Sequence, residues 1–285
     1  GWDAGYTVTL TNGMVLSRNL TRDPHRRSLI IAITNAIDGV PLNPLVYGYD
    51  LLNRVASRNA DSFGYNARSE VTAALIQPAN TNRYEFDTIG NALWTSLNAA
   101  TNTYSANALN QYTTISKPFL SCNPVHDLDG NLLTNGVWSF AWDAENRLTA
   151  VYSNTTCVVS NAYDHQSRRV LKVTPSFTHS FVYDGWNLVQ ETITTASGVT
   201  TNRYVWGKDI SGTMQGAGGV GGLLAVFLNG EWFFPFFDNN GNITAYANKS
   251  GAIVAAYTYD AFGRTLTATA PLADAFPHRF STKYL

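Results

Sequence analysis

The most restrictive feature of the sequence is a short unit that returns along most of its length. It reads aromatic, Asp, two variable residues, Gly or Asn, then often Arg or Asn. Full copies are YDLLNRV (Tyr49, Asp50), FDTIGNAL (Phe86, Asp87, Gly90), WDAENRL (Trp142, Asp143), YDHQSRRV (Tyr163, Asp164), YDGWNLV (Tyr183, Asp184), FDNNGNI (Asp238, Gly241) and YDAFGRTL (Tyr259, Asp260, Gly263, Arg264). HDLDGNLL (Asp127, Gly130) has His126 in place of the aromatic, YNARSEV has Asn66 in place of Asp, and YSANALN at Tyr104 reads as a decayed copy. From Asp127 to Asp184 successive aspartates stand 16 to 21 residues apart. A repeat of ~20 residues holds two strands of ordinary length plus two turns, and one such hairpin is not stable alone, so the units must stack side by side.

Each position has a mechanical reason. Asp accepts hydrogen bonds from backbone amides just downstream and so fixes a turn. Three positions later stand Asn53, Gly90, Gly130, Asn146, Ser167, Asn187, Gly241 and Gly263. All but the Ser enter the left-handed region cheaply, as a tight turn or bulge requires. Upstream, pairs such as Tyr47 and Tyr49, Tyr84 and Phe86, Phe140 and Trp142, Phe181 and Tyr183, and Tyr257 and Tyr259 are spaced i, i+2, which puts each pair on one face of a strand. The expected fold is therefore all-β: antiparallel hairpins forming a spiralling sheet, part of a shell or barrel. A partial spiral would leave open sheet edges, which favour self-association.

Composition agrees with this. Aromatics make up 13% of the 285 residues and charged residues 14%, with net charge −1, which leaves no footprint for nucleic acid or an anionic membrane. The basic cluster RDPHRR at Arg22 to Arg27 reads as a solvated turn rather than a phosphate site. No apolar run approaches the ~20 residues of a membrane-spanning helix. Cys122 and Cys157 form no C-x-x-C pair, so no zinc site or disulfide framework is implied, and spacing does not say whether they pair. Gly1 is not an initiator Met, so localisation signals are expected to lie outside the sequence.

One stretch points elsewhere. In GTMQGAGGVGGLLAV, Gly216, Gly218 and Gly221 fit G-x-G-x-x-G. A dinucleotide loop needs a strand before the glycines and a helix after them. Here the preceding segment is polar, and LLAVFLNGEW behind reads as a strand, so the stretch reads as a glycine-rich insertion joining β-elements. DLDGN at Asp127 and DNNGN at Asp238 are similar to calcium loops, but the turn already explains their residues. The five histidines show no H-E-x-x-H spacing and no G-x-S-x-G elbow is present. No catalytic, cofactor-binding or metal-binding residue is assigned. Trp94, Trp186 and Trp232 lie least clearly in register and are the best candidates for sugar-stacking platforms.

The repeats from Tyr49 to Arg264 resemble the RHS/YD-repeat family, and YTYDAFGRTLTATAPLADAFPHRFSTKYL is similar to the start of its RHS-associated core. The resemblance implies a hollow β-shell that in bacterial toxins encloses a C-terminal effector and in animal teneurins serves adhesion at the cell surface. It implies a secreted or cell-surface location, and as partners a C-terminal effector or toxin domain of the same polypeptide, or alternatively glycans or surface proteins. The self-cleaving part of the family core would lie past Lys283 and Tyr284, so no residue here is expected to inherit that role and the chain is expected to be non-enzymatic. The segments expected are 1–46, an N-terminal β-segment or degenerate repeats; 47–208, the repeat array; 209–230, the glycine-rich insertion; and 231–285, the last repeats and the start of the core.

Overall fold

The computed structural model describes residues 5–285, apart from the side chain of Asn43. The first four residues of the 1–46 segment lie outside the described residues. The fold is all-β, with no α-helix among the described residues. Twelve strands between Gly5 and Cys122 form one sheet and fourteen between Val125 and Thr269 form another, and in each the strand order is the chain order. The described pairings are all antiparallel, so each strand meets its sequence neighbours through a turn rather than a crossover.

Two kinds of turn recur along the strip. One is the Asp motif. The other is a two-residue turn with a positive φ, as at Asp38–Gly39 (47° and 78°), Asn98–Ala99 (46° and 70°) and Asn229–Gly230 (53° and 84°). Positive φ at both central residues matches the twist of the flanking strands, which explains Asn, Asp and Gly there. The first turn residue also ties its hairpin to the one before. Asn98 donates its amide to the Thr81 carbonyl at 2.8 Å while its Oδ1 accepts the Thr81 amide at 2.8 Å. Asp38 with Val15 and Asn59 with Val46 repeat this exchange.

The chain divides into two compact units: 1–64, 183–190 and 202–285 in the first, and 65–182 with 191–201 in the second. In the first unit the N-terminal and C-terminal strands share a core. Met14, Leu16 and Ile37 pack with Phe236 and Ala247, and Val8, Leu42, Phe234 and Ile253 border them. Alternation produces this face: in the strand Val15–Arg22, Leu16 and Arg18 are buried while Ser17 is half-buried and Asn19 is exposed. In the second unit the buried residues include Ala74, Ile76, Tyr84, Ala150 and Phe181.

Leu16→Ala, at a site 3% exposed, should destabilise the protein by about 2–5 kcal/mol in urea unfolding, as core truncations do. Leu128→Ala, at a turn tip open to solvent, should stay within about 0.5 kcal/mol of the parent.

Candidate functional site: the aspartate-pinned turns

The Asp motif folds the same way at seven of its copies. At Asp50 the carboxylate Oδ1 accepts the amides of Leu52 (2.9 Å) and Arg54 (3.0 Å), and Oδ2 accepts Arg54 Nε (2.6 Å). The Asp50 amide donates to the Arg54 carbonyl and the Asn53 amide to the Asp50 carbonyl, which closes the loop. The same bonds recur at Asp87, Asp127, Asp143, Asp164, Asp238 and Asp260, with Asn91, Asn131 or Asn242 replacing the arginine in some copies. Asn53, Gly90, Gly130, Asn146, Ser167, Gly241 and Gly263 all have positive φ, from 58° at Asn146 to 98° at Gly90. In Asn66 and Asn107 an amide oxygen does the work of the carboxylate.

Asp184 departs from this expectation. Its strand runs to Asp184 and the next begins at Asn187, so Gly185 and Trp186 make a two-residue turn in which Gly185 takes the positive φ (56°). Asn187 is instead a buried strand residue whose side chain donates to the Met214 carbonyl. The Trp186 amide, two residues past Asp184, donates to Gln215 Oε1 instead (3.1 Å). Two further copies lack the preceding aromatic and escaped the sequence pattern: Asn248, with Gly251 at positive φ, and Asp209, with Gly212. The signal present was the Asx-x-x-Gly spacing alone.

The aromatic before Asp has a second function besides packing. Tyr163 OH donates to the Leu148 carbonyl (2.7 Å), Tyr259 OH to that of Ile243 (2.7 Å) and Trp142 Nε1 to that of Leu132 (2.8 Å). Each acceptor lies just past the preceding Asp turn, so each aromatic tethers its repeat to the one before. A lateral ladder joins the turns themselves. Arg147 Nη1 donates to the Asp164 carbonyl (3.2 Å), Asn131 Nδ2 to Asn146 Oδ1 (2.8 Å) and Asn91 Nδ2 to Asn110 Oδ1 (3.3 Å), while Arg68 donates to the Asp87 carbonyl.

The hydrogen bonds set the electrostatics. The Arg54 amide holds the Asp50 carboxyl below its ordinary value, and the Asn91 and Asn131 side chains do the same for Asp87 and Asp127. At Asp143 and Asp164 desolvation pushes upward, but the combined hydrogen bonds from the Arg147 and Arg168 amides and side chains outweigh it.

Asp238 is the buried exception among these aspartates. Its side chain is 3% exposed, Arg58 Nη1 lies 3.3 Å from Oδ2, Arg18 Nη2 donates to its carbonyl (3.1 Å), and Tyr47 OH accepts the Asn239 amide (2.9 Å). Three N-terminal strands thus close on one C-terminal turn within the first unit. Burial, with the Asp238 charge beside it, drives the Tyr47 phenol well above its ordinary pKa.

The glycine-rich stretch is organised by Asp209. Its Oδ2 accepts the amides of Ala217 (2.6 Å) and Gly219 (3.2 Å), and its Oδ1 accepts that of Ser211 (2.9 Å). The backbone donors a pyrophosphate would need therefore face a carboxylate of the chain itself, and a strand, Leu223–Leu228, follows in place of a helix. Of the three tryptophans singled out, Trp94 donates to Glu85, Trp232 packs on Phe227 with ring centroids 5.2 Å apart, and Trp186 is exposed. Cys122 and Cys157 are free thiols. Among the described residues no group of His, Cys, Asp or Glu is placed to hold a metal ion.

The teneurin YD-shell family matches residues 45–277, which takes in every turn from Asp50 to Asp260. The chain belongs to that family. Among curated proteins, this YD-shell chain is 26% identical over 205 residues to the tRNA3(Ser)-specific nuclease WapA of Bacillus spizizenii and to the tRNA nuclease WapA of Bacillus subtilis. The match covers 70% of the chain but 8% of each relative. Among solved structures, it is similar to the Photorhabdus luminescens Tc holotoxin pore (TM-score 0.45, 12% identity) and to the TcdB2-TccC3 crystal structure (TM-score 0.44, 13% identity). Each match covers 98% of this chain, and 18% and 19% of those chains respectively.

Asp143→Ala should lower stability in urea unfolding, and Asp238→Ala should lower it further, by about 3 kcal/mol or more, because it removes the buried carboxylate that faces Arg58 together with the turn bonds from Asn240 and Asn242. The carboxyl pKa values depressed on folding have one sign of effect on pH dependence. Their stabilisation is complete above the free Asp value of about 3.9 and is lost as pH falls through the lower folded values. Urea midpoints should therefore hold down to about pH 5 and fall steeply below pH 4, less steeply in an Asp50, Asp87, Asp127 triple Asn variant.

Proposed function

We propose that this chain is a length of structural wall from a YD-type shell, whose work is to enclose or present an effector domain carried on the same polypeptide. The observation that carries this reading is the lateral ladder between turns, in which the residue closing one Asp turn bonds to the next turn. Such bonding cross-links successive hairpins within each sheet, and a strip of paired strands offers proteases little loose backbone. The membership in the YD-shell family supports it.

The chain itself is assigned no catalytic role in this reading. The WapA relatives are named as nucleases, but the matched region is a small fraction of their length, and the chain's recurring carboxylates are engaged in turn hydrogen bonds. By the same resemblance the protein works outside the cell or at its surface. No helix among the described residues is long and apolar enough to cross a membrane. A glycan- or protein-binding role is the second reading, and Trp186, 61% exposed at a hairpin tip, is the residue that favours it.

The test uses the complete native gene product. Limited proteolysis with intact mass spectrometry should find a C-terminal fragment that stays with the shell and resists digestion until the shell is denatured. A C-terminal region digested as fast as a free polypeptide would overturn the reading. A glycan array that responds to the protein but not to a Trp186→Ala variant would move the assignment to the second one.

A further inference from the structure

Beyond the last strand, Thr265–Thr269, the chain leaves the sheet. It adds no strand of its own, yet it is buried more deeply than many of the strands. Phe276, His278 and Thr282 are 1%, 2% and 3% exposed. These residues and Phe280 stand at alternate positions, and each meets a different part of the sheet face. Phe276 lies flat on Tyr246 (3.8 Å between centroids, 8° between planes) and edge-on to Phe233. His278 sits against Tyr204 and Trp206, and Phe280 against Tyr259.

The polar contacts follow the backbone of the segment. Tyr257 OH donates to the Ala273 carbonyl (2.6 Å), Tyr246 OH to that of His278 (2.9 Å), and the Ile243 amide to that of Arg279 (3.0 Å). Asn242 Oδ1 accepts the Ser281 amide (2.8 Å). Thr282 Oγ1 donates to the Gly241 carbonyl (2.7 Å) and accepts the Gly221 amide (2.8 Å), so one hydroxyl joins the Asp238 turn to the glycine-rich loop. Lys283 Nζ completes the row on the Gly218 carbonyl (2.7 Å).

Two further observations mark this as a site shaped for the segment. A methyl group at Gly263 would come within 2.5 Å of the Phe280 ring, so the turn glycine also makes room for that ring. Ser281 and Thr282 hold φ of 50° and 55°, a region costly for a β-branched residue, and the Gly221, Gly241 and Asn242 contacts are what hold them there. Burial also pushes the Tyr257 phenol up to about 12 and that of Tyr246 well above its ordinary value, so both remain hydrogen-bond donors at any physiological pH.

We propose that this face is a peptide-binding site and that residues 273–283 are its ligand, an extended peptide read through Phe276, His278, Phe280 and Thr282 at alternate positions. Alternate side chains in pockets, with main-chain hydrogen bonds between them, are how extended peptides are recognised between separate molecules. The exposed Ala270 and Pro271 lead into the segment, with the Ala270 carbonyl accepting the Ala273 amide (3.2 Å), and the contacts with the sheet face described above all lie beyond them, so the site binds the same sequence supplied as a separate peptide. This stands apart from the shell reading, because it concerns how the wall holds one of its own segments.

The test inserts a protease recognition sequence between Ala270 and Pro271 of the full chain. After cutting, the 271–285 peptide should remain bound through gel filtration and native mass spectrometry, and excess labelled synthetic peptide of the same sequence should replace it. In that exchange a Phe276→Ala peptide should bind roughly a hundredfold more weakly and a Thr282→Val peptide about tenfold. Loss of the peptide on cutting, aggregation of the cut protein, a peptide that no excess displaces, or equal binding of the variants would each overturn the proposal. None of these outcomes bears on whether a domain is enclosed, which the protection experiment reads separately.

Discussion

Everything regular in this protein depends on a carboxylate accepting two backbone amides, two and four residues downstream. That pair of bonds turns a flexible loop into a fixed corner, and the fixed corner sets the register of the strands on either side. The register shift falls at the aromatic before the aspartate, as between Ala141 and Trp142 and between Ala162 and Tyr163. This bulge re-aims the aromatic, so that Tyr163 and Trp142 can reach a carbonyl of the preceding hairpin. Turn, bulge and tether are thus one device.

Repeating the device has a cost that the molecule meets locally. Each turn needs a residue at positive φ, and Asn, Gly and, at Ser69 and Ser167, Ser supply it. Each also leaves a charge near the surface, which Arg or Asn at the fifth position engages and then shares with the next turn. Where a turn is drawn into the interior, as at Asp238, Arg58 and Arg18 come from strands far away in sequence. A turn motif has there become a tertiary contact, and the same chemistry serves both ends because a carboxylate out of water must be matched by donors.

The stacking order required no long-range information, since every strand pairs with its sequence neighbour. The all-β architecture, the hairpin unit and the positions of most turns could therefore be read directly from Asp, Gly and aromatic spacing. Asp184 shows the limit of that reading. Its sequence, YDGWN, satisfies the pattern, but a glycine directly after the aspartate permits a two-residue turn, and the shorter turn formed. Asn248 and Asp209 show the opposite limit, because their turns form without the aromatic that makes the motif visible.

The sequence by itself determined what is local: strand, turn and the lateral bonding of one repeat to the next, because those interactions join residues within about one repeat length of each other. Only the tertiary structure decided which faces meet. Nothing in the spacing marks Arg18 and Arg58 as partners of Asp238, Asp209 as the occupant of its own glycine loop, or Phe276 and Thr282 as the pieces that fit beneath the last hairpins. Those contacts depend on where a chain of stacked hairpins returns upon itself, and that is fixed by the sum of many small twists between strands, which no single motif encodes.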